Sequence, residues 1–194
     1  YSSAASDVYK RQDQKIMAST FIGIDPGCEI CGVSVIQDGI IVGAWNLPNE
    51  EVYSKITSYV LNDDYKIVIE DIRPYSIRLN MQIINTCKQI GEMTYRLKVV
   101  AGLNVTLVTR NEVKKWIFDY FPDVVMPLVM KKVEKKYVGR KPSFVFVDDK
   151  IVTEAMKYHF GIKLPEPGKG YQYGLKEHSW QALAAAAHLM LSTS

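Results

Sequence analysis

Cysteine is scarce in this chain, with three among 194 residues, too few for a disulfide framework. Cys28 and Cys31 make a C-x-x-C, but no second pair or nearby histidine completes a zinc site and no helix follows to make a redox motif. Both are read as small side chains in a strand. No apolar run reaches the ~18 residues of a membrane span and no secretory signal is visible, so no membrane partner is expected and a cytoplasmic, reducing setting is. A strong excess of one charge is lacking too. Against 24 Lys and Arg stand 21 Asp and Glu, a net +3 that permits a nucleic-acid partner and leaves the decision to where the charge sits. No internal repeat appears. What is present, 47% hydrophobic and 23% charged residues, suits one globular domain over residues 17–194. Ahead of it, residues 1–12 (YSSAASDVYKRQ) are polar and aperiodic and look like translated sequencing-adapter read-through. Residues 1–16 are therefore expected to be a non-native or disordered leader, with Met17 the native start.

The chain is organised around residues 20–32, TFIGIDPGCEICG. The apolar run Phe21-Ile22-Gly23-Ile24 reads as a buried strand that delivers one carboxylate, Asp25, into a Pro26-Gly27 turn. Aspartate at such a place calls for a metal ion, a phosphate-bound metal or a cationic neighbour, since an ionised carboxylate is rarely buried alone. The bland reading is a plain strand-turn-strand. Residues 29–37 read as the returning strand, Asp38-Gly39 as a hairpin turn and residues 40–45 as a third, antiparallel strand.

Asn49 is expected to cap a helix through Leu61 with Val52, Ile56, Tyr59 and Val60 on one face. Residues 66–70 (KIVIE) then repeat the opening design, an apolar strand ending in an acid, Glu70. Parallel strands present their C-terminal ends side by side, which would bring Asp25 and Glu70 within metal-bridging reach; the alternative is that each pairs with an arginine such as Arg73. Residues 79–101 read as one long helix with Leu79, Ile83, Ile84, Cys87, Ile90, Thr94 and Leu97 in a stripe and Gly91 at a close packing contact, while Met81 and Met93 lie off that face. A strand at 105–108 and a helix at 112–121, capped by Asn111 and carrying Lys114 and Lys115, follow. The β-β-β-α-β-α-β-α order is that of an α/β fold, a mixed five-stranded sheet with helices on both faces.

Residues 122–142 are read as an interruption, a basic insert in which Pro127 opens a helix with Val129, Val133 and Tyr137 in a stripe. From Pro127 onward Lys131, Lys132, Lys135, Lys136, Arg140 and Lys141 stand against Glu134 alone, either as a solvated face or as phosphate contacts. Asp148 and Asp149 open a helix through His159, their charge suited to its N-terminal dipole. The last helix, residues 176–191, carries alanines that permit close approach to the sheet. Glu177, His178 and Gln181 sit together at its start, as the lining of a site would.

These residues carry a resemblance. Gly23-Ile24-Asp25-Pro26-Gly27 followed by Gly32 resembles the first active-site motif of the RuvC family of Holliday junction resolvases, which have the ribonuclease H-like fold; phage-encoded members look closest. Ile69-Glu70 is similar to the family's second acidic strand end. Arg110 to Lys114 (RNEVK) resembles its R-x-x-V-K segment, whose lysine approaches DNA, and His178 to Ala184 (HSWQALA) resembles its closing helix. The likeness implies a magnesium-dependent endonuclease that cuts four-way or other branched DNA in recombination or repair. It also implies a homodimer, in a prokaryotic or phage-infected cell, with no small-molecule cofactor. The dimer interface is expected on the 79–101 helix.

Phosphodiester hydrolysis needs an in-line water and neutralisation of the charge that builds on phosphorus, which two Mg²⁺ ions ~4 Å apart supply, with Mn²⁺ able to substitute. By the resemblance Asp25 bridges the ions, Glu70 holds one, and His178 with Glu177 completes the other side. Lys114, Lys115 and the basic insert bind backbone phosphates. One position departs from the family pattern: Gln181 stands where an aspartate is normal, and an amide is a poorer ligand for a hard cation. A catalytically weakened or silent junction-binding protein of the same fold is therefore the alternative. An actin-like ATPase, which also opens on a glycine-flanked strand-end aspartate, is disfavoured because the chain has no second glycine-rich phosphate loop and no adenosine motif.

Overall fold

The computed structural model describes residues 20–60, 64–73, 80–163, 165 and 170–193. The leader 1–16, Met17, Leu61 and Leu79 lie outside them. Five strands form one sheet in the order β3-β2-β1-β4-β5, where β1 is Thr20–Asp25, β2 Ile30–Gln37, β3 Ile40–Pro48, β4 Tyr65–Asp71 and β5 Val105–Thr109. The β1–β2–β3 pairings are antiparallel and the β1–β4–β5 pairings parallel, so the sheet is mixed, as the element order predicts.

Side chains alternate across each strand, and the alternation divides the core in two. Ile22, Ile24, Val33, Val35, Ile67 and Ile69 face helix α1 (Asn49–Thr57) and helix α2 (Met81–Thr94), meeting Val52, Ile56, Ile90 and Met93. Phe21, Val68 and Val108 face the other way, onto α3 (Arg110–Tyr120), α4 (Pro122–Lys136), α5 (Asp149–Phe160) and α6 (His178–Ser192). Asp25 and Glu70 share the second parity. Both strand-end acids therefore point to the α6 side.

Helix α6 lies directly on the sheet because β1 and β2 carry glycine beneath it. A Cβ at Gly23 would run into the backbone of Ala182 and Ala186, and one at Gly32 into the backbone of His178 and Ser179. The glycines of the first motif and the alanines of the last helix are two halves of one contact. Ser34 closes it by donating to the Ser179 carbonyl at 2.7 Å.

Several elements depart from the sequence expectations. Pro48 rather than Asn49 stands at the N-cap of α1, and the Asn49 side chain instead donates to the carbonyls of Gly27 and Cys28 while accepting from the Cys31 thiol. It pins the turn that follows Asp25. The helix expected at 79–101 is α only to Thr94 and continues as a wider π turn at Tyr95–Val100. It buries Thr86, Ile90, Met93 and Leu97, leaving Ile84, Cys87 and Met81 exposed, and nothing lies within 4 Å of where a Gly91 Cβ would be. Met93 thus belongs to the packed face, and Gly91 marks no close contact. Thr109, not Asn111, caps α3, because Glu112 completes a reciprocal capping box with it.

The basic stretch does not interrupt the fold. Pro122 opens α4 at its first turn, where no N–H is needed, and Val125, Val129 and Val133 bury a continuous stripe. Pro127 lies inside this helix, not at its start. Its missing N–H orphans only the Asp123 carbonyl, and both residues are exposed, so water meets the unpaired group. No helix among the described residues is long and apolar enough to cross a membrane.

Candidate active site

Parallel pairing sets Ile24 beside Ile69, so the next residues, Asp25 at the end of β1 and Glu70 one residue before the end of β4, come together at the C-terminal ends of neighbouring strands. Both are buried, 6% and 3% exposed, on the wall of a cleft of about 880 Å³. Burial, followed by the Asp25 charge, pushes the Glu70 carboxyl up to about 7. Arg110 opposes that shift and is outweighed. Its Nε stands 3.5 Å from Glu70 Oε1, too poorly aligned for a hydrogen bond, so the pair keeps a Coulombic attraction while Glu70 still pays for losing water.

Each acid has its own cationic neighbour. His178 Nδ1 lies 2.7 Å from Asp25 Oδ2, and because an ionised carboxylate only accepts, Nδ1 carries the proton. That hydrogen bond is the main reason the imidazole holds its proton to higher pH than usual, ahead of the opposing effect of burial. Arg110 sits at the first turn of α3, directs Nε at Glu70 and binds Asp149 Oδ1 through Nη2 at 2.8 Å. Its guanidinium, the anchored end of an ordered side chain, closes one side of the cleft.

The other residues singled out by the sequence are distributed unevenly. Glu177 lines the cleft but sits outside α6 at a left-handed φ of 42° and accepts from Asn46 Nδ2 at 3.2 Å. Gln181, buried at 6% exposure, lines it one turn further along α6. Lys114 lies one turn beyond Arg110, half-buried, and is not among the residues that line the cleft; burial and then Arg110 hold its ammonium below the usual range. Lys115, Lys131, Lys135, Lys136, Arg140 and Lys141 are exposed and away from the cleft. Lys132 is turned inward, binding Asp148 Oδ2 at 2.7 Å and the Phe146 carbonyl at 2.9 Å, so it serves the fold. Arg73 pairs with Asp71, two residues away, at 3.4 Å.

Arg110, Asp149 and Lys150 were not singled out as site residues by sequence reasoning. Arg110 was visible inside RNEVK, where attention fell on the lysine. Asp149 had a sufficient local explanation as a helix-dipole partner, and only the packing of α5 beside α3 brings it to the cleft. Among the described residues no three His, Cys, Asp or Glu side chains gather closely enough to cage an ion. Asp25 and Glu70 nevertheless suit a hard divalent cation, being two oxygen donors whose mutual repulsion and burial a bound charge would relieve.

No protein-family model matches the sequence, and no curated protein does either. Solved structures do match in fold. RuvC of Thermus thermophilus in complex with Holliday junction substrate superposes with a TM-score of 0.60 at 12% identity, over 90% of this chain and 94% of that one. A second Thermus thermophilus RuvC structure gives 0.55 at 16% identity, over 90% and 95%. The chain therefore has the RuvC-like, ribonuclease H-like fold, a mixed five-stranded sheet with helices on both faces.

Proposed function

We propose that this chain is a divalent-cation-dependent endonuclease that hydrolyses phosphodiesters in four-way or otherwise branched DNA. The observation that carries the reading is the pair of buried acids, Asp25 and Glu70, side by side at parallel strand ends on the wall of an open cleft. A structural ion pair would have no use for two carboxylates whose charges raise one another's cost. The fold it shares with a RuvC solved on a Holliday junction points the same way.

Asp25 and Glu70 would hold Mg²⁺, or Mn²⁺ in its place, with His178 and Glu177 at the outer edge. Bound there, the ion supplies positive charge at the phosphate and eases ionisation of the attacking water. In the reaction water adds to phosphorus opposite the 3′ oxygen, and the P–O3′ bond breaks. The hydroxide portion stays on the new 5′-phosphate and the proton ends on the 3′ oxygen. His178 holds Asp25 in one orientation through its Nδ1–H, and Arg110 presents a fixed positive charge where the phosphorane-like charge develops. The exposed cations of α4 and the segment after it would meet backbone phosphates, which favours shape over sequence.

A second copy would supply a second active site for the opposite strand of a junction, and the exposed Met81, Ile84, Tyr95, Val99 and Val100 along α2 and its π extension offer the apolar surface for a homodimer. The alternative reading, a weakened or silent junction binder, rests on Gln181. Incubation with a synthetic four-way junction and Mg²⁺ separates the two: paired nicks near the crossover that vanish in Glu70→Gln are expected. Tight binding of the junction with no nicking in Mg²⁺ or Mn²⁺ would establish the binder instead.

A further inference from the structure

Two hydrogen-bond donors in the cleft are unspent. Gln181 lines the cleft at 6% exposure, and its amide, which makes no hydrogen bond among the described residues, keeps its remaining access to solvent there. Arg110 lines it too: Nε is buried 3.5 Å from Glu70 Oε1, Nη2 is fastened to Asp149, and the side chain as a whole is 43% exposed, which leaves the outer end of the guanidinium to the cleft. Both side chains thus border the cleft with N–H groups that the fold does not consume, which suits a ligand that accepts hydrogen bonds. A carboxylate at position 181 would repel such a ligand; the amide can donate to it.

The charges agree. Asp25 and Glu70 bring two negative charges when both are ionised, against which stand the fixed charge of Arg110 and, when it is protonated, that of His178. Two divalent ions would set four more positive charges in a site whose acids are already partnered, and among the described residues no third carboxylate closes around a second ion. One ion at the two strand-end acids leaves Arg110 with a use: its guanidinium is a cation that Asp149 holds in position at the cleft wall.

We propose that the site takes a single divalent cation, at Asp25 and Glu70, and that Arg110 and the Gln181 amide grip the non-bridging oxygens of the scissile phosphate where a second cation would otherwise stand. This rests on the nuclease reading above. Asp149 is then a positioning residue that acts through Arg110, holding Nη2 so that the outer end of the guanidinium stays on the cleft side. An arginine serves here because its planar guanidinium can be fastened through Nη2 and still present further N–H donors in a fixed direction, which a lysine ammonium on a flexible stem does not.

The test counts ions before it measures cleavage. Mn²⁺ titrated into the metal-stripped protein and followed by electron paramagnetic resonance should show one bound ion per chain in the wild type. Two are expected in Gln181→Asp, and one in Gln181→Asn, which keeps the amide if the aspartate variant does not fold. Single-turnover cleavage of a four-way junction at saturating Mn²⁺ should fall ~10³-fold in Arg110→Gln. It should be partly rescued in Arg110→Lys and slowed ~10-fold in Asp149→Asn, with the ion count unchanged throughout. Two ions, or none, in the wild type would overturn the proposal, as would Arg110→Gln cleaving at the wild-type rate. One ion bound without any cleavage would defeat the nuclease reading and with it the phosphate grip, while the single-ion site stood.

Discussion

Glu70 is protonated over a pH range in which the unfolded chain has already lost that proton, because burial and then Asp25 raise its folded value from 4.5 to about 7. Between those two values the native state binds the extra proton, so stability falls as pH rises through the window, by the order of 3 kcal/mol in all. His178 adds to the same direction: its value is raised by Asp25, and the stability it contributes below its unfolded pKa is lost as pH climbs through the folded one. The metal-free protein is therefore expected to melt at higher temperature at pH 5 than at pH 8, and Glu70→Gln should flatten the difference in thermal unfolding scans. Mg²⁺ or Mn²⁺ binds the ionised form and should reverse the slope, so that chelation costs far more stability at pH 8 than at pH 5. A melting temperature that rises with pH in the chelated wild type would refute this account of Glu70.

Helix α6 and strand β1 owe their spacing to glycine facing alanine, and an added methyl has nowhere to go when the obstacle is backbone. Gly23→Ala should cost about 1–3 kcal/mol or more and displace the helix start that carries His178 and Gln181, whereas Gly91→Ala, with open space around it, should be neutral or slightly stabilising. Denaturant titration of both variants distinguishes them. Helix α4 divides its basic residues between two uses. Replacing exposed Lys131, Lys135 and Lys136 by Gln should weaken junction binding and lower its salt dependence, by a log–log slope of up to ~2.7, without changing the melting temperature. Lys132→Met should do the reverse, costing about 1 kcal/mol through the lost Asp148 and Phe146 contacts and leaving the salt slope alone. Filter-binding at several salt concentrations, beside unfolding curves, reads both.

Across the whole molecule the two faces of the sheet have different duties. The face under α3 to α6 holds the acids and their cationic neighbours, while α2 and its π extension on the other face leave Met81, Ile84, Tyr95, Val99 and Val100 exposed in a run too apolar for solvent alone. If this run is the homodimer surface, light scattering should give twice the chain mass in the wild type and the single mass in Val99→Glu/Val100→Glu. That variant should still bind a junction, but nick its two strands independently. A wild-type monomer at tens of micromolar would remove the surface from consideration.

Much of this was legible before any coordinates. Asp25 and Glu70 stood out because an ionisable residue at the end of an apolar strand contradicts its own surroundings, and the mixed sheet followed from element order and periodicity, both local properties. The positions misjudged were those decided by distant neighbours. Asn49 looked like a cap until the β1–β2 turn came within reach of its side chain, and Thr109 outcompeted Asn111 only because Glu112 could answer it. Lys132 was indistinguishable from its neighbours along α4 until Asp148 arrived from the next element. Arg110 and Asp149, 39 residues apart, likewise acquire a joint meaning only when α3 and α5 pack together. A sequence determines which residues want a partner, since that follows from charge, polarity and burial along one element; which partner each one gets depends on contacts between elements, and those exist only in the folded chain.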